Sequence, residues 1–205
     1  TKGGDVLYTN STLALDAETG EIAWYFQHIP GGNWDQDHPF ERLIVETEVA
    51  PNPDAVSWMN PNIDSSERRK VITGVPGKPG IVWTLDAATG DFLWATQTNY
   101  QNVIIGVDVE KRQGITNPAL DITEIAQRKL VCPTTQGGIN WNSVGYSPRS
   151  NFLYAPTNNT CMTFFLRPVD PVVGAHHQSA VSRPAVGPED DGMVGLFSAV
   201  DVASG

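Results

Sequence analysis

Apolar positions in this chain come in short runs closed off by turn residues, and helical spacing is almost absent. Val6-Leu7-Tyr8-Thr9, Leu43-Ile44-Val45-Glu46, Val71-Ile72-Thr73-Gly74, Val144-Gly145-Tyr146 and Phe152-Leu153-Tyr154-Ala155 each read as a strand. The exception is Leu120 to Leu130, which reads as a short helix. The strongest signal is an internal repeat. Leu15-Asp16-Ala17-Glu18-Thr19-Gly20-Glu21-Ile22-Ala23-Trp24 matches Leu85-Asp86-Ala87-Ala88-Thr89-Gly90-Asp91-Phe92-Leu93-Trp94 at a constant offset of 70 residues, and a third copy begins at Val200-Asp201-Val202-Ala203-Ser204-Gly205. Each copy reads as strand, tight turn, strand. The Asp side chain caps the turn, and the Gly takes the positive φ that the turn demands. A Trp recurring at one place per unit predicts packing between units.

Adding the strands that precede each turn gives four antiparallel strands per unit, the blade of a β-propeller. The predicted fold is therefore all-β. Blade units fall roughly at 1–30, 40–100 and 140–205, with an insertion at 101–131. A β-sandwich is the competing fold, but ten aligned positions at one offset disfavour it. About two and a half blades cannot close a propeller, so the chain is expected to be an internal piece of a longer protein, with open sheet edges that favour self-association.

Composition agrees. The 205 residues are 40% hydrophobic and 18% charged, with 19 Gly, 15 Pro and 6 Trp, as in a turn-rich β protein. A formal charge of -10 repels phosphate backbones, which excludes nucleic acid and leaves a basic partner or a neutral small substrate. Runs such as Ile81-Val82-Trp83 and Val103-Ile104-Ile105 fall far short of the roughly 20 residues of a membrane span. Thr1-Lys2-Gly3-Gly4-Asp5 carries no signal-peptide pattern. The two cysteines, Cys132 and Cys161, would be free thiols in the cytosol and a bridge in an exported protein.

The unit Leu-Asp-Ala-x-Thr-Gly-x-x-x-Trp resembles the tryptophan-docking repeat of the PQQ-dependent (quinoprotein) alcohol dehydrogenases of the methanol and ethanol dehydrogenase type, which are eight-bladed propellers. Non-enzymatic propellers share that repeat, so the chemistry rests on other positions. The segment Trp24-Tyr25-Phe26-Gln27-His28-Ile29-Pro30-Gly31-Gly32-Asn33-Trp34-Asp35 is similar to the family's run from the docking Trp to its catalytic Trp-Asp. The resemblance makes Asp35 the general base that takes the alcohol proton as hydride passes to PQQ. Asp37 matches the second carboxylate that accompanies lanthanide use, so Asp35 and Asp37 are implied metal ligands, for a lanthanide or Ca2+. His38-Pro39-Phe40 departs from the Gly-x-Asn common there, and some sugar-oxidising relatives share Trp-Asp-x-Asp.

Gly77-Lys78-Pro79-Gly80 resembles the family's basic turn, which sets a cation on the quinone oxygens, with Pro79 in place of the usual Asn. Gly137-Gly138-Ile139-Asn140-Trp141 resembles its Gly-Gly-x-Asn-Trp segment. On that basis Lys78, Asn140 and Trp141 are the cofactor contacts, with Trp141 better suited to packing. The family's disulfide brackets the same Asn, which pairs Cys132 with Cys161 and implies a periplasmic location.

The resemblance therefore implies an oxidoreductase that oxidises a primary alcohol by hydride transfer to PQQ, with a bound metal as Lewis acid and a c-type cytochrome as electron acceptor. The family's remaining metal ligands would lie upstream of Thr1, so residues 1–205 alone are expected to be inactive. Two other readings stand beside this one: a non-catalytic propeller acting as a binding or scaffold module, and a PQQ-dependent sugar dehydrogenase.

Overall fold

The computed structural model describes residues 4–64, 67–170, 172–174, 179–188 and 191–205. Thr1, Lys2 and Gly3 of the amino-terminal stretch lie outside the described residues. Fifteen strands follow one another along these residues. They are β1 (Ser11–Leu15), β2 (Ile22–Gln27), β3 (Leu43–Val49), β4 (Trp58–Met59), β5 (Glu67–Gly74), β6 (Ile81–Asp86), β7 (Phe92–Gln97), β8 (Ile104–Asp108), β9 (Gln113–Thr116), β10 (Lys129–Val131), β11 (Gly145–Ser147), β12 (Phe152–Asn158), β13 (Cys161–Leu166), β14 (Ala180–Ala185) and β15 (Gly195–Asp201).

The central unit is one antiparallel sheet of order β3-β5-β6-β7-β4. On β3, Val45, Thr47 and Val49 point inward while Glu46 and Glu48 face water, the two-residue period of a half-buried strand. β6 is buried on both faces. Ile81, Trp83 and Leu85 join a core with Trp24, Phe26 and Phe92, contributed in part by the first unit. Val82 points the other way, into a second core with Trp94, Leu153, Ala155 and Val200, contributed in part by the third. The middle sheet is thus packed between its neighbours, as stacked propeller blades are. The sheets do not close on themselves, and the architecture is a partial propeller of all-β class.

The three turns form alike. Gly20 N–H donates to Asp16 O at 2.9 Å, Gly90 to Asp86 O at 2.9 Å, and Gly205 to Asp201 O at 2.8 Å. In each, the Asp Oδ1 accepts backbone N–H groups inside the loop, from Thr19 at 2.8 Å, Ala88 at 2.8 Å and Ala203 at 2.8 Å. The glycines sit at φ +76°, +74° and +92°. Trp24 lies flat on Gly90: a Cβ built there would come within 2.4 Å of its ring. Over Gly205 the neighbour is Val56 instead, at 2.2 Å from such a Cβ.

Two expectations need correction. Residues 6–9 form a turn rather than a strand: Thr9 N–H closes on Val6 O at 2.9 Å, and the Gln27 amide donates to Asp5 O and Thr9 O at 2.7 and 3.1 Å. A side chain thereby takes carbonyls that a neighbouring strand would otherwise use. Residues 121–128 are not helical, because Leu120 and Ile122 are both buried, a spacing of extended chain. The helical content there is a single 3₁₀ turn, Pro118–Leu120. The insertion after β7 carries strands of its own. β8 and β9 make a hairpin that meets β2 through one parallel pair, Gln27 with Gln113. β10 joins β13 and β14 in a separate three-stranded sheet, beside the β11-β12-β15 sheet. No helix among the described residues is long and apolar enough to cross a membrane.

Candidate active site

After β2 the chain leaves the sheet and is anchored by Trp34, whose indole N–H donates to Leu120 O at 3.1 Å in the first core. Asp35 follows at φ +63°, a left-handed conformation that Asp tolerates better than most residues. From there side chains alternate: those of Asp35 and Asp37 are 56% and 53% exposed, while Gln36 between them is buried.

Lys78 comes from the β5–β6 connection, and its side chain is only 9% exposed. Its ammonium meets Asp35 O at 2.9 Å, Asp35 Oδ2 at 3.0 Å and Asp37 Oδ2 at 2.9 Å. Its backbone is pinned on both sides. Lys78 N–H donates to Asp37 O at 2.9 Å, and Lys78 O accepts from Gly138 N–H at 2.7 Å. Three segments distant in sequence, 35–37, 77–80 and 133–138, therefore converge on one lysine.

Asp35, Gln36 and Asp37 line a cleft of about 610 Å³ together with Asn10, Gly32, Asn33, Thr135, Gln136 and three residues of β13 and β14, Phe164, Ala180 and Ser182. A cleft of this size holds a small organic molecule. Asn140 connects to it through Gln136, whose carbonyl accepts the Asn140 amide at 3.0 Å. Trp141 is 85% exposed and touches Phe40 edge-on, with ring centroids 6.1 Å apart. Cys132 and Cys161 form a disulfide, with Cα atoms 4.3 Å apart. The bridge closes a loop holding both Gln136 and Asn140.

Behind the carboxylates lies a feature that sequence reading missed. His28 and His38 are buried and stacked, with centroids 4.9 Å apart and planes 5° off parallel. Burial pushes the His38 ring down to about 3, with the Arg42 guanidinium adding to the effect, and it holds His28 well below its ordinary range. Both rings are therefore neutral near pH 7. His38 Nδ1 bonds Gln36 O at 3.1 Å, and its ring fills the space beside Gly77 that any Cβ there would occupy. The unusual His38 is thus a wedge between the carboxylate segment and the lysine turn. Its only sequence signal was its departure from the motif.

The family described as PQQ, glucose/ethanol/alcohol dehydrogenase, beta-propeller domain, matches residues 1–59. Among curated proteins, the 1-butanol dehydrogenase (cytochrome c) of Thauera butanivorans is 31% identical over 157 residues, 77% of this chain and 20% of that protein. Over most of its length the chain is similar to the PQQ-dependent dehydrogenases. Another relative, the lanthanide-dependent methanol dehydrogenase of Methylacidiphilum fumariolicum, is 25% identical over 163 residues, 80% of this chain and 24% of that one. In fold, a europium-containing methanol dehydrogenase superposes with a TM-score of 0.80 over 98% of this chain and 32% of its own, at 24% identity. The quinohemoprotein alcohol dehydrogenase of Comamonas testosteroni matches with a TM-score of 0.65 and 26% identity, over 80% of this chain and 22% of its own. The chain thus spans less than a third of the length of these PQQ-family relatives.

The donor set can be weighed against the family's cofactors. PQQ is a flat anionic quinone; Asn10, Asn33 and Gln136 give the cleft polar walls that can hydrogen-bond it, and Lys78, paired with the lining Asp35 and Asp37, offsets part of their negative charge. These residues fit such a ligand. A hard cation needs six or more oxygen ligands. Asp35 and Asp37 supply a partial set already turned toward an ammonium, and no group of three or more His, Cys, Asp or Glu among the described residues completes it. These residues alone do not make a metal site.

Proposed function

We propose that the protein carrying this site oxidises a primary alcohol with PQQ, and that Asp35 is its general base. The observation that supports this reading is the 3.0 Å pairing of Asp35 Oδ2 with Lys78, 43 positions away in sequence, at a cleft Asp35 lines. When bound, PQQ supplies a hydride acceptor, and a metal completed by further ligands supplies Lewis acidity. Lys78 holds Asp35 by Oδ2, which leaves Oδ1 to take the hydroxyl proton of an alcohol in the cleft. The same ammonium stabilises negative charge that develops beside it. Asn140 orients the cleft wall through Gln136, and Trp141 offers its exposed face to a neighbour. Asp35 and Asp37 are the carboxylates this chain would give to a calcium or lanthanide ion. The Cys132–Cys161 bridge suits an oxidising compartment, the periplasm, where a c-type cytochrome takes the electrons.

The test is reconstitution of the full protein with PQQ and calcium or a light lanthanide, followed by dye-linked turnover of primary alcohols and, as a comparison, aldoses. Turnover of alcohols that Asp35→Ala abolishes is expected. Unchanged turnover in that variant would sink the assignment. Residues 1–205 alone are expected to give none.

One observation favours a second reading. Lys78 is engaged by both carboxylates at once, so the cluster satisfies itself without a ligand. A scaffold propeller that has lost its cofactor would look the same. An intact fold with no PQQ binding by the full protein would select it.

A further inference from the structure

We propose that Gln36 is a positioning residue, fixing Asp35 and Asp37 on Lys78 by tying their segment to the loop closed by Cys132–Cys161. The inference takes the carboxylate–lysine cluster as the site of the proposed function, and its contacts are independent of what that site binds. Gln36 is 3% exposed, and both hydrogens of its amide nitrogen are used: Nε2 donates to Pro133 O and to Thr134 O, each at 3.1 Å. Those carbonyls directly follow Cys132. The same loop also reaches the other side of the cluster, where Gly138 N–H bonds Lys78 O and a Cβ on Gly137 would come within 2.9 Å of the Lys78 side chain.

The loop thus holds the lysine directly and the carboxylates through Gln36. Without Gln36, the link between segment 35–37 and this loop would run through Lys78 alone, by its backbone N–H to Asp37 O and its ammonium to Asp35 O and the two carboxylates. A residue that merely filled the core would be apolar. Gln36 instead keeps its Oε1 buried without a partner among the described residues, an unfavourable arrangement that its amide contacts offset. Its position in the cleft wall between the two carboxylates makes their spacing to Lys78 depend on its reach.

The measurement is the rate at which the Lys78 amine is acylated by an amine-reactive ester, read by peptide mass spectrometry and normalised to Lys111, whose side chain is 69% exposed. Gln36→Met keeps the length and shape of the side chain and removes the donor. We expect it to raise Lys78 acylation roughly fivefold with Lys111 unchanged, the factor corresponding to about 1 kcal/mol of lost pairing. Replacing both cysteines by serine should give a similar rise, and combining the two changes should add little. An unchanged Lys78 rate in Gln36→Met would overturn the proposal. So would fully additive effects of the glutamine and cysteine changes. If Gln36→Met fails to fold, Gln36→Glu decides on the same terms, and general loss of structure there as well would show a packing role only. Because the readout is access to Lys78, it can fail while the dehydrogenase reading stands, and the reverse.

Discussion

The contact of Trp24 with Gly90 allows a controlled test of how the units are joined. Gly20 and Gly90 occupy the same position of the same turn, at φ +76° and +74°, each bonded to its turn Asp at 2.9 Å. Alanine at either site meets the same backbone strain, about 1 kcal/mol. Their surroundings differ. A Cβ at Gly20 would meet nothing within 4 Å, whereas at Gly90 it would lie 2.4 Å from Trp24 Cε3 and 2.5 Å from Cδ2. Trp24 is buried in the first core and cannot swing aside freely, so the clash adds the cost of overpacking, roughly 1–3 kcal/mol. Gly20→Ala should therefore lower stability by about 1 kcal/mol and Gly90→Ala by about 2–4 kcal/mol. Urea unfolding followed by far-ultraviolet circular dichroism measures both. In a Trp24→Ala background the excess at Gly90 should vanish, because the clash has lost its partner. Equal destabilisation by the two alanines, or an excess that survives in that background, would refute the docking contact.

Other predictions address the site and its supports. Lys78→Met should lower alcohol turnover of the reconstituted protein about a hundredfold or more, yet change stability by less than about 1 kcal/mol, because its partners are over half exposed. Turnover and urea midpoints, compared on the same variant, check this. His38 gains its proton in the unfolded chain near pH 6.5 but in the folded chain only at about 3, so its contribution is intact above pH 6.5 and is lost as pH falls toward 3. About 2 kcal/mol should be lost by pH 5, with His28 acting in the same direction, and His38→Phe should flatten that part of the urea-midpoint profile. Reducing Cys132–Cys161, with its separation of 29 residues, should cost up to about 3.6 kcal/mol in the chain-entropy treatment, seen as a fall in melting temperature.

Much of the fold was legible because its turns are chemical signals. Asp16, Asp86 and Asp201 cap their own loops, and Gly20, Gly90 and Gly205 take positive φ, so local residue types fix the geometry and the offset reveals the repeat. Residues 6–9 misled because a strand needs a partner strand, and here the carbonyls of Asp5 and Thr9 bond the side chain of Gln27. The β10-β13-β14 sheet was missed for a related reason. Its pairing is non-local, with β13 following β12 in sequence but belonging to another sheet. Within the site, family resemblance pointed to Asp35, Asp37 and Lys78 one by one, and the structure gathers them. Gln36 and the stacked His28 and His38 carry no local pattern. Their roles come from contacts made across dozens of residues, such as Gln36 with Pro133 and Thr134.

The difference between Gly90 and Gly205 bears on how such a chain could be rearranged. Two turns of the same geometry act as sockets, but one accepts an indole and the other the methyl of Val56. The joints are therefore keyed, like connectors of one outline with different pins. A duplicated or transplanted unit would bring the right turn and the wrong plug. The order of units is written in the residue that covers each glycine, and a shuffled array would fold each sheet correctly yet seat its neighbours poorly.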